Sequence, residues 1–251
     1  MTRDELTSRQ VDVLTLQSIN LSFNIYHLTL DYIIIVAGGK GLRMGGDLPK
    51  QFLSVDGRPV LMRTIERFNQ YNPQLGIIVV LPHSQQDYWR QLCSKYAFAV
   101  EHIVVDGGET RFHSSKNGLA AVPDDAQGVV GIHDGVRPFV SVETIARCFE
   151  AARMHGAALP VLPVTDTLRF VDDEGGHNVQ RNNYRTVQTP QTFDIQQIKR
   201  AFNTEYSDNF TDDASVAEAA GMKITMVDGN RENIKLTTPY DLLFAEFLCK
   251  Q

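Results

Sequence analysis

Cysteine is scarce in this 251-residue sequence: Cys93, Cys148 and Cys249 are scattered, odd in number and never in CxxC spacing. That set excludes a disulfide framework and a cysteine-based zinc site, and it sets the expectation of a reducing, cytoplasmic setting. Cations are not in surplus either, since 24 Lys and Arg stand against 30 Asp and Glu for a net charge of -6. A broad nucleic-acid or anionic-membrane surface is therefore not expected, and any phosphate chemistry must rely on a few placed cations. No apolar run has the length of a membrane span: the stretch Val11–Leu30 is broken by polar residues and follows Asp4 and Glu5, unlike a secretory signal. Complete GxGxxG and GxxxxGK[ST] motifs are absent, which weakens dinucleotide-fold and P-loop readings alike. No Ser-His-Asp or Cys-His constellation suggests nucleophilic catalysis.

What is present is a rhythm. Apolar runs of strand length occur at Tyr32–Ala37, Ile77–Leu81, Val100–Val105, Val129–Ile132, Ala157–Val161 and Ile224–Val227. Amphipathic stretches of helix length fall at Val60–Gln70, Ser84–Lys95, Ser114–Val122, Val142–His155, Ile195–Tyr206, Asp213–Ala220 and Pro239–Leu248. Alternation of this kind predicts a Rossmann-like α/β fold, a mainly parallel twisted sheet with helices on both faces. Ligands of such sheets bind beyond the carboxyl ends of the strands. The rhythm breaks at residues 163–193, rich in Asp, Asn and Gly, with short β-like runs at Leu168–Val171 and Tyr184–Gln188; a protruding β-arm is expected there. The sequence reads as one domain over 32–251, preceded by an appendage of residues 1–31 that could pair as an extra strand.

The residue types that handle phosphate stand at strand ends. The first strand runs into Ala37-Gly38-Gly39-Lys40-Gly41-Leu42-Arg43, where glycines let backbone amides approach a ligand. Arg43 and Lys50, the latter fixed after Pro49, can place positive charge on two sides of a triphosphate, although a glycine turn with two solvated cations fits the same residues. Asp134, in His133-Asp134-Gly135-Val136-Arg137-Pro138, is the best carboxylate for Mg²⁺. The less favoured alternative is a cap or turn residue paired with Arg137. His133 is expected to be a buried, hydrogen-bonded strand residue with no catalytic role. The turn Asp106-Gly107-Gly108-Glu109-Thr110-Arg111, leading to Ser114, can read a pyrimidine through exposed backbone groups, or can be a plain strand-to-helix turn with Ser114 near the N-cap. Lys235 precedes a helix that Thr238 caps and Pro239 opens; its phosphate role depends on Arg43, Lys50 and Asp134 standing nearby. Thr167 and Arg181 in the arm are ambiguous by themselves.

Taken together, AGGKGLRM with PKQF, DGGETRFHS, HDGVRP, PVTDTL, RNNYRTVQTPQTF and NIKLTTP resemble the 2-C-methyl-D-erythritol 4-phosphate cytidylyltransferases of the non-mevalonate isoprenoid pathway. The match runs from Tyr32 to the C-terminus; Gly38 stands where that family commonly has Ala. The resemblance implies a Mg²⁺-dependent nucleotidyltransferase that takes CTP and a polyol phosphate. By it, Arg43, Lys50 and Lys235 would act on the triphosphate and the reacting phosphates, and Asp134 would hold the metal. Ala37, Gly38, Gly39, Gly41, Gly108 and Ser114 would bind CTP, with Gly108 and Ser114 on the cytidine. Arg137, Thr167 and Arg181 would hold the methylerythritol phosphate, the last two reaching into a neighbour's site because the family exchanges its arms in a homodimer. A related ribitol 5-phosphate cytidylyltransferase would look much the same outside the arm. A non-catalytic nucleotide-sensing module is disfavoured by retention of Arg43, Lys50, Asp134 and Lys235 together.

Overall fold

The structure, a computed structural model, describes residues 30–39, 48–173 and 175–251. The appendage's residues 1–29, with their possible extra strand, lie outside the described residues, as do Gly41 and Arg43. The backbone alternates strands and helices in chain order: β1 (Tyr32–Val36), β2 (Ser54–Val55), β3 (Arg58–Pro59), α1 (Val60–Tyr71), β4 (Gly76–Leu81), α2 (His83–Lys95), β5 (Ile103–Asp106), α3 (Arg111–Ala120), β6 (Val129–Asp134), α4 (Val142–His155) and β7 (Ala157–Pro163). Then come β8 (Arg169–Phe170), β9 (His177–Asn178), β10 (Arg185–Val187), β11 (Gln191–Asp194), α5 (Ile195–Ala201), α6 (Asp213–Ala219), β12 (Thr225–Asp228) and α7 (Pro239–Leu248).

β1 reads Tyr-Ile-Ile-Ile-Val and buries all three isoleucines, as a strand covered on both faces must. Ile33 and Ile35 pack with Leu61, Ile65 and Phe68 of α1, Trp89 of α2 and Phe149 of α4. Ile34 faces the other way, with Phe112 of α3, Ile198 of α5 and Val216 of α6. The period of two along a strand thus puts helices on both sides, giving the expected Rossmann-like α/β fold. No helix among the described residues is long and apolar enough to cross a membrane.

β1 pairs in parallel with β4 on one side and β6 on the other, and β4 pairs with β5. The chain therefore builds outward through β4 and β5 before returning to the opposite side of β1. That reversal opens a crevice at the carboxyl ends of β1 and β6, where Val36 and Asp134 stand in register.

Several boundaries differ from the sequence reading; the helix expected over Ile195–Tyr206 ends at Ala201, and the strand expected over Val100–Val105 starts at Ile103. The helix expected from Ser114 begins at Arg111, because Thr110 is the N-cap and accepts from the His113 amide; Ser114 is buried within the first turns. The arm expected over residues 163–193 is shorter. β11 lies antiparallel between β6 and β7, and β10 pairs antiparallel with β7 at Arg185↔Pro163, Thr186↔Leu162 and Val187↔Val161. Since β12 occupies the other side of β7 at both Ala158 and Val161, β10 and β11 must run along the same side. What remains of the arm is the exposed stretch between β7 and β10, with the small β8–β9 hairpin inside it.

Candidate active site

At the β1–β6 crevice lies a cleft of about 240 Å³, lined by Ala37, Gly38 and Gly39, Lys50 and Gln51, Gly108 to Arg111, Ser114, Asp134 and Lys235. Each wall is fixed by backbone hydrogen bonds. The Ala37 amide donates to the Val80 carbonyl (2.9 Å) and the Gly135 amide to the Val36 carbonyl (2.9 Å), tying the glycine turn to β4 and β6 to β1. The Leu236 amide donates to the Val136 carbonyl (2.9 Å), which brings Lys235 over the end of β6. A β-carbon on Gly39 would lie 3.2 Å from Cε and 3.7 Å from Nζ of Lys50, so that ammonium sits directly over the glycine turn.

The Gly108 turn is held from inside α3. Its amide donates to Ser114 Oγ (3.0 Å), and a side chain at Gly108 would collide with His113, so the turn admits only glycine. Ser114 thus sits at the cleft not as a helix cap but as the residue that pins the turn.

Asp134 is the centre of charge. Arg111 ion-pairs with its Oδ1, while Arg137 Nε (3.0 Å) and Lys235 Nζ (3.1 Å) share its Oδ2. Burial alone would push this carboxyl up, but Arg111, Lys235 and Arg137 together hold it well below the ordinary carboxylate range. The turn-residue alternative for Asp134 is half right: Arg137 does pair with it, and also donates through Nη1 to the Asn233 carbonyl (2.8 Å). Burial pushes Arg111 down, yet Asp213 and Asp134 outweigh that and keep its guanidinium charged.

Among the described residues no group of three or more His, Cys, Asp or Glu side chains could hold a metal ion. A single carboxylate can serve Mg²⁺, which commonly takes one or two protein carboxylates and draws its other ligands from substrate phosphates and water; to hold the ion, Asp134 would exchange part of its pairing with Arg111, Arg137 and Lys235, whose charges would turn to the phosphates.

His133 is fully buried and linked at both ring nitrogens. Its Nε2 faces the Arg137 carbonyl (3.1 Å), which can only accept, so Nε2 carries the proton and Nδ1 accepts from Thr189 Oγ1 (2.9 Å). Thr189 Oγ1 in turn accepts from the Asp134 amide (3.1 Å). Burial drives the imidazole pKa from 6.5 to about 3. A depressed histidine pKa means the unfolded chain binds the extra proton, so this site's stability is complete above 6.5 and is lost as pH falls toward about 3. The unfolding free energy should fall by up to about 1.4 kcal/mol per pH unit through this site. Denaturant titrations of wild type and His133→Gln between pH 6.5 and about 5 test it. Equal slopes for the two proteins would remove His133 as the cause.

The structure therefore gathers Ala37, Gly38, Gly39, Lys50, Gly108, Ser114, Asp134 and Lys235 at one cleft, with Arg137 behind Asp134. It does not bring Thr167 or Arg181 there. Both are exposed in the arm, where Arg181 donates through Nη1 to the Thr165 carbonyl of its own chain. Sequence reasoning passed over Arg111, although it follows the glycine turn directly, and over Asp213 and Gln51.

Comparison with known proteins gives the family and the fold. The family model described as 2-C-methyl-D-erythritol 4-phosphate cytidylyltransferase matches residues 32–251. A protein of that name from Phocaeicola vulgatus is 60% identical over 217 residues, 86% of this chain and 98% of its own. Another, from Bacteroides thetaiotaomicron, is 59% identical over 216 residues, covering 86% and 98%. Among solved structures, 2-C-methyl-D-erythritol 4-phosphate cytidylyltransferase from Thermus thermophilus superposes with a TM-score of 0.68 at 32% identity, covering 89% of this chain and 100% of that one. A 4-diphosphocytidyl-2C-methyl-D-erythritol synthase from Anaerococcus prevotii gives 0.75 at 30% identity, covering 89% and 97%. The chain belongs to the 2-C-methyl-D-erythritol 4-phosphate cytidylyltransferase family.

Proposed function

We propose that the chain joins CMP from CTP to 2-C-methyl-D-erythritol 4-phosphate, forming 4-diphosphocytidyl-2-C-methyl-D-erythritol and pyrophosphate. The observation that carries this reading is the meeting of the glycine turn, Lys50, Lys235, Asp134 and the Gly108–Ser114 turn in one cleft at the sheet's switch point. The acceptor needs no general base, because the second pKa of a phosphate monoester is about 6 and its oxygen is already largely anionic at neutral pH. That oxygen attacks the α-phosphorus in line, a new P–O bond forms, and the bond from the α-phosphorus to the bridging oxygen breaks as pyrophosphate leaves.

The barrier is the approach of one anion to another, so the chain's task is positioning and neutralisation. Lys50 lies over the glycine turn and Lys235 beside Asp134, flanking the space for the phosphates. Arg43 is assigned to the triphosphate by the family's pattern. Bound at Asp134, Mg²⁺ would supply charge neutralisation for phosphate oxygens. Gly108 and Ser114 hold the cytosine, and Ser114 Oγ, which already accepts from Gly108, donates its own proton to the base. Arg137 is assigned to the acceptor phosphate by the family's pattern, and among the described residues its Nη2 makes no hydrogen bond. Thr167 and Arg181 serve the acceptor in a neighbouring copy, which makes the working unit an arm-exchanged homodimer in the cytoplasm.

Pyrophosphate release with CTP, ATP and GTP, each offered with methylerythritol phosphate and with ribitol 5-phosphate, tests the assignment. CTP with methylerythritol phosphate should exceed every other pair by about tenfold or more in kcat/KM. Equal turnover with a purine nucleotide would refute the base pocket, and faster turnover of ribitol 5-phosphate would refute the acceptor.

A further inference from the structure

Arg111 is held at the cleft by a residue from a distant part of the chain. Its Nη1 reaches Asp134, and its Nη2 donates to Asp213 Oδ2 (2.6 Å), the first residue of α6. Ser115, one helical turn beyond Arg111 on α3, donates its hydroxyl to the other oxygen, Asp213 Oδ1 (2.5 Å). Asp213 is 1% exposed, and a carboxylate that deep is strongly destabilising unless it is paired. Its charge is not needed to start α6. Asp212 is the N-cap there, forms a capping box with Ser215, and is tied to β11 by Gln191 Nε2 (2.7 Å). Arg111 Nε makes no hydrogen bond among the described residues, so the orientation of the guanidinium rests on the two carboxylates alone.

We propose that Asp213 is a positioning residue for nucleotide binding: it holds the Arg111 guanidinium astride the cleft wall, so that Arg111 does not collapse onto both oxygens of Asp134. Without the Asp213 charge, the freed Nη2 has Asp134 as its remaining anionic neighbour. A bidentate Arg111–Asp134 pair would crowd Arg137 and Lys235 on Oδ2 and withdraw both a cation from the triphosphate and a carboxylate from Mg²⁺. Ser115 fixes the rotamer of Asp213, and thereby the direction from which Arg111 is pulled.

This inference rests on reading the cleft as a CTP site, and calorimetric titration of CTP in Mg²⁺ buffer separates the two. Wild type, Asp213→Asn, Arg111→Met and the double variant are compared, with thermal melts as the folding control. Asp213→Asn is expected to weaken CTP binding about tenfold. In the Arg111→Met background the same change should alter affinity by less than about twofold, because Asp213 acts through Arg111. A merely structural Asp213 would impose its full loss in both backgrounds, and that result overturns the proposal. So does unchanged CTP affinity in folded Asp213→Asn. Should Asp213→Asn fail to fold, Ser115→Ala takes its place in the cycle; about a threefold loss that vanishes beside Arg111→Met is expected. Unchanged affinity in folded Ser115→Ala is equally fatal. If wild type itself does not bind CTP, the nucleotide reading fails first and the inference falls with it.

Discussion

Asp134→Asn should lower kcat/KM by about a hundredfold or more, the scale of losing a charged group that organises a phosphoryl-transfer site. Asparagine keeps the shape and removes the charge that Arg111, Arg137 and Lys235 all share. The geometry adds a consequence for stability. Without the carboxylate, three cations face one another at the end of β6, and among the described residues only Arg111 keeps an anionic partner, Asp213. Removing one partner of a buried ion pair costs about 3–5 kcal/mol, and the exposure of Lys235 (42%) and Arg111 (26%) reduces this to about 1–3 kcal/mol. The melting temperature of the nucleotide-free variant should therefore fall. Inorganic pyrophosphate, an anion without a base, should restore part of it by supplying the missing negative charge. Thermal melts with and without pyrophosphate, beside kinetics, decide the matter. A variant with wild-type kcat/KM would take Asp134 out of the reaction.

Mixing Arg181→Ala subunits with Lys50→Ala subunits should restore activity well above that of either parent. Lys50 lines the cleft of its own chain, whereas Arg181 stands outside that cleft in the exposed arm. Loss of a charge-assisted phosphate contact is worth about 1.5–3 kcal/mol, so Arg181→Ala alone should lose roughly tenfold to a hundredfold in kcat/KM for the polyol phosphate, with the constants for CTP little changed. If arms are exchanged, a heterodimer has one site lacking both side chains and one with both intact. Tagged, purified heterodimers should then show about half the turnover of wild type. Heterodimers as inactive as their parents would mean that Lys50 and Arg181 serve the same chain or different events.

Most of the sheet was legible because β1, β4 and β6 are apolar runs bounded by turn residues, and the cleft was legible because its residues cluster just past those runs. β11 was not. Gln191-Thr192-Phe193-Asp194 carries polar residues where a buried strand should be apolar, and they are tolerated because each is bonded: Thr192 Oγ1 donates to the Cys148 carbonyl (2.8 Å), and Gln191 binds Asp212. The start of α3 was misplaced because Thr110 and Ser114 are both capping residue types, and only backbone geometry chooses between them. Arg111 shows no role in its local sequence, since what gives it one, Asp134 and Asp213, stands 23 and 102 residues away. No local pattern carries that information.

The footing of the arm divides what can change from what cannot. The exposed excursion leaves the sheet at Pro163 and re-enters opposite it at Arg185, closed by the three register pairs of β10 and β7. Residues beyond that closure can be gained or lost as a surface loop changes length, at the small entropic cost of a longer or shorter excursion. The return path is different. Two residues past Val187, Thr189 meets the Asp134 amide and His133, and Gln188 Nε2 donates to the Asn230 carbonyl (2.9 Å) beside Asn233. A single-residue insertion there would turn every following side chain to the opposite face and part Thr189 from β6. The arm is thus a replaceable attachment on a fixed footing, and variation among homologues should accumulate at its tip while residues 185–191 keep their length.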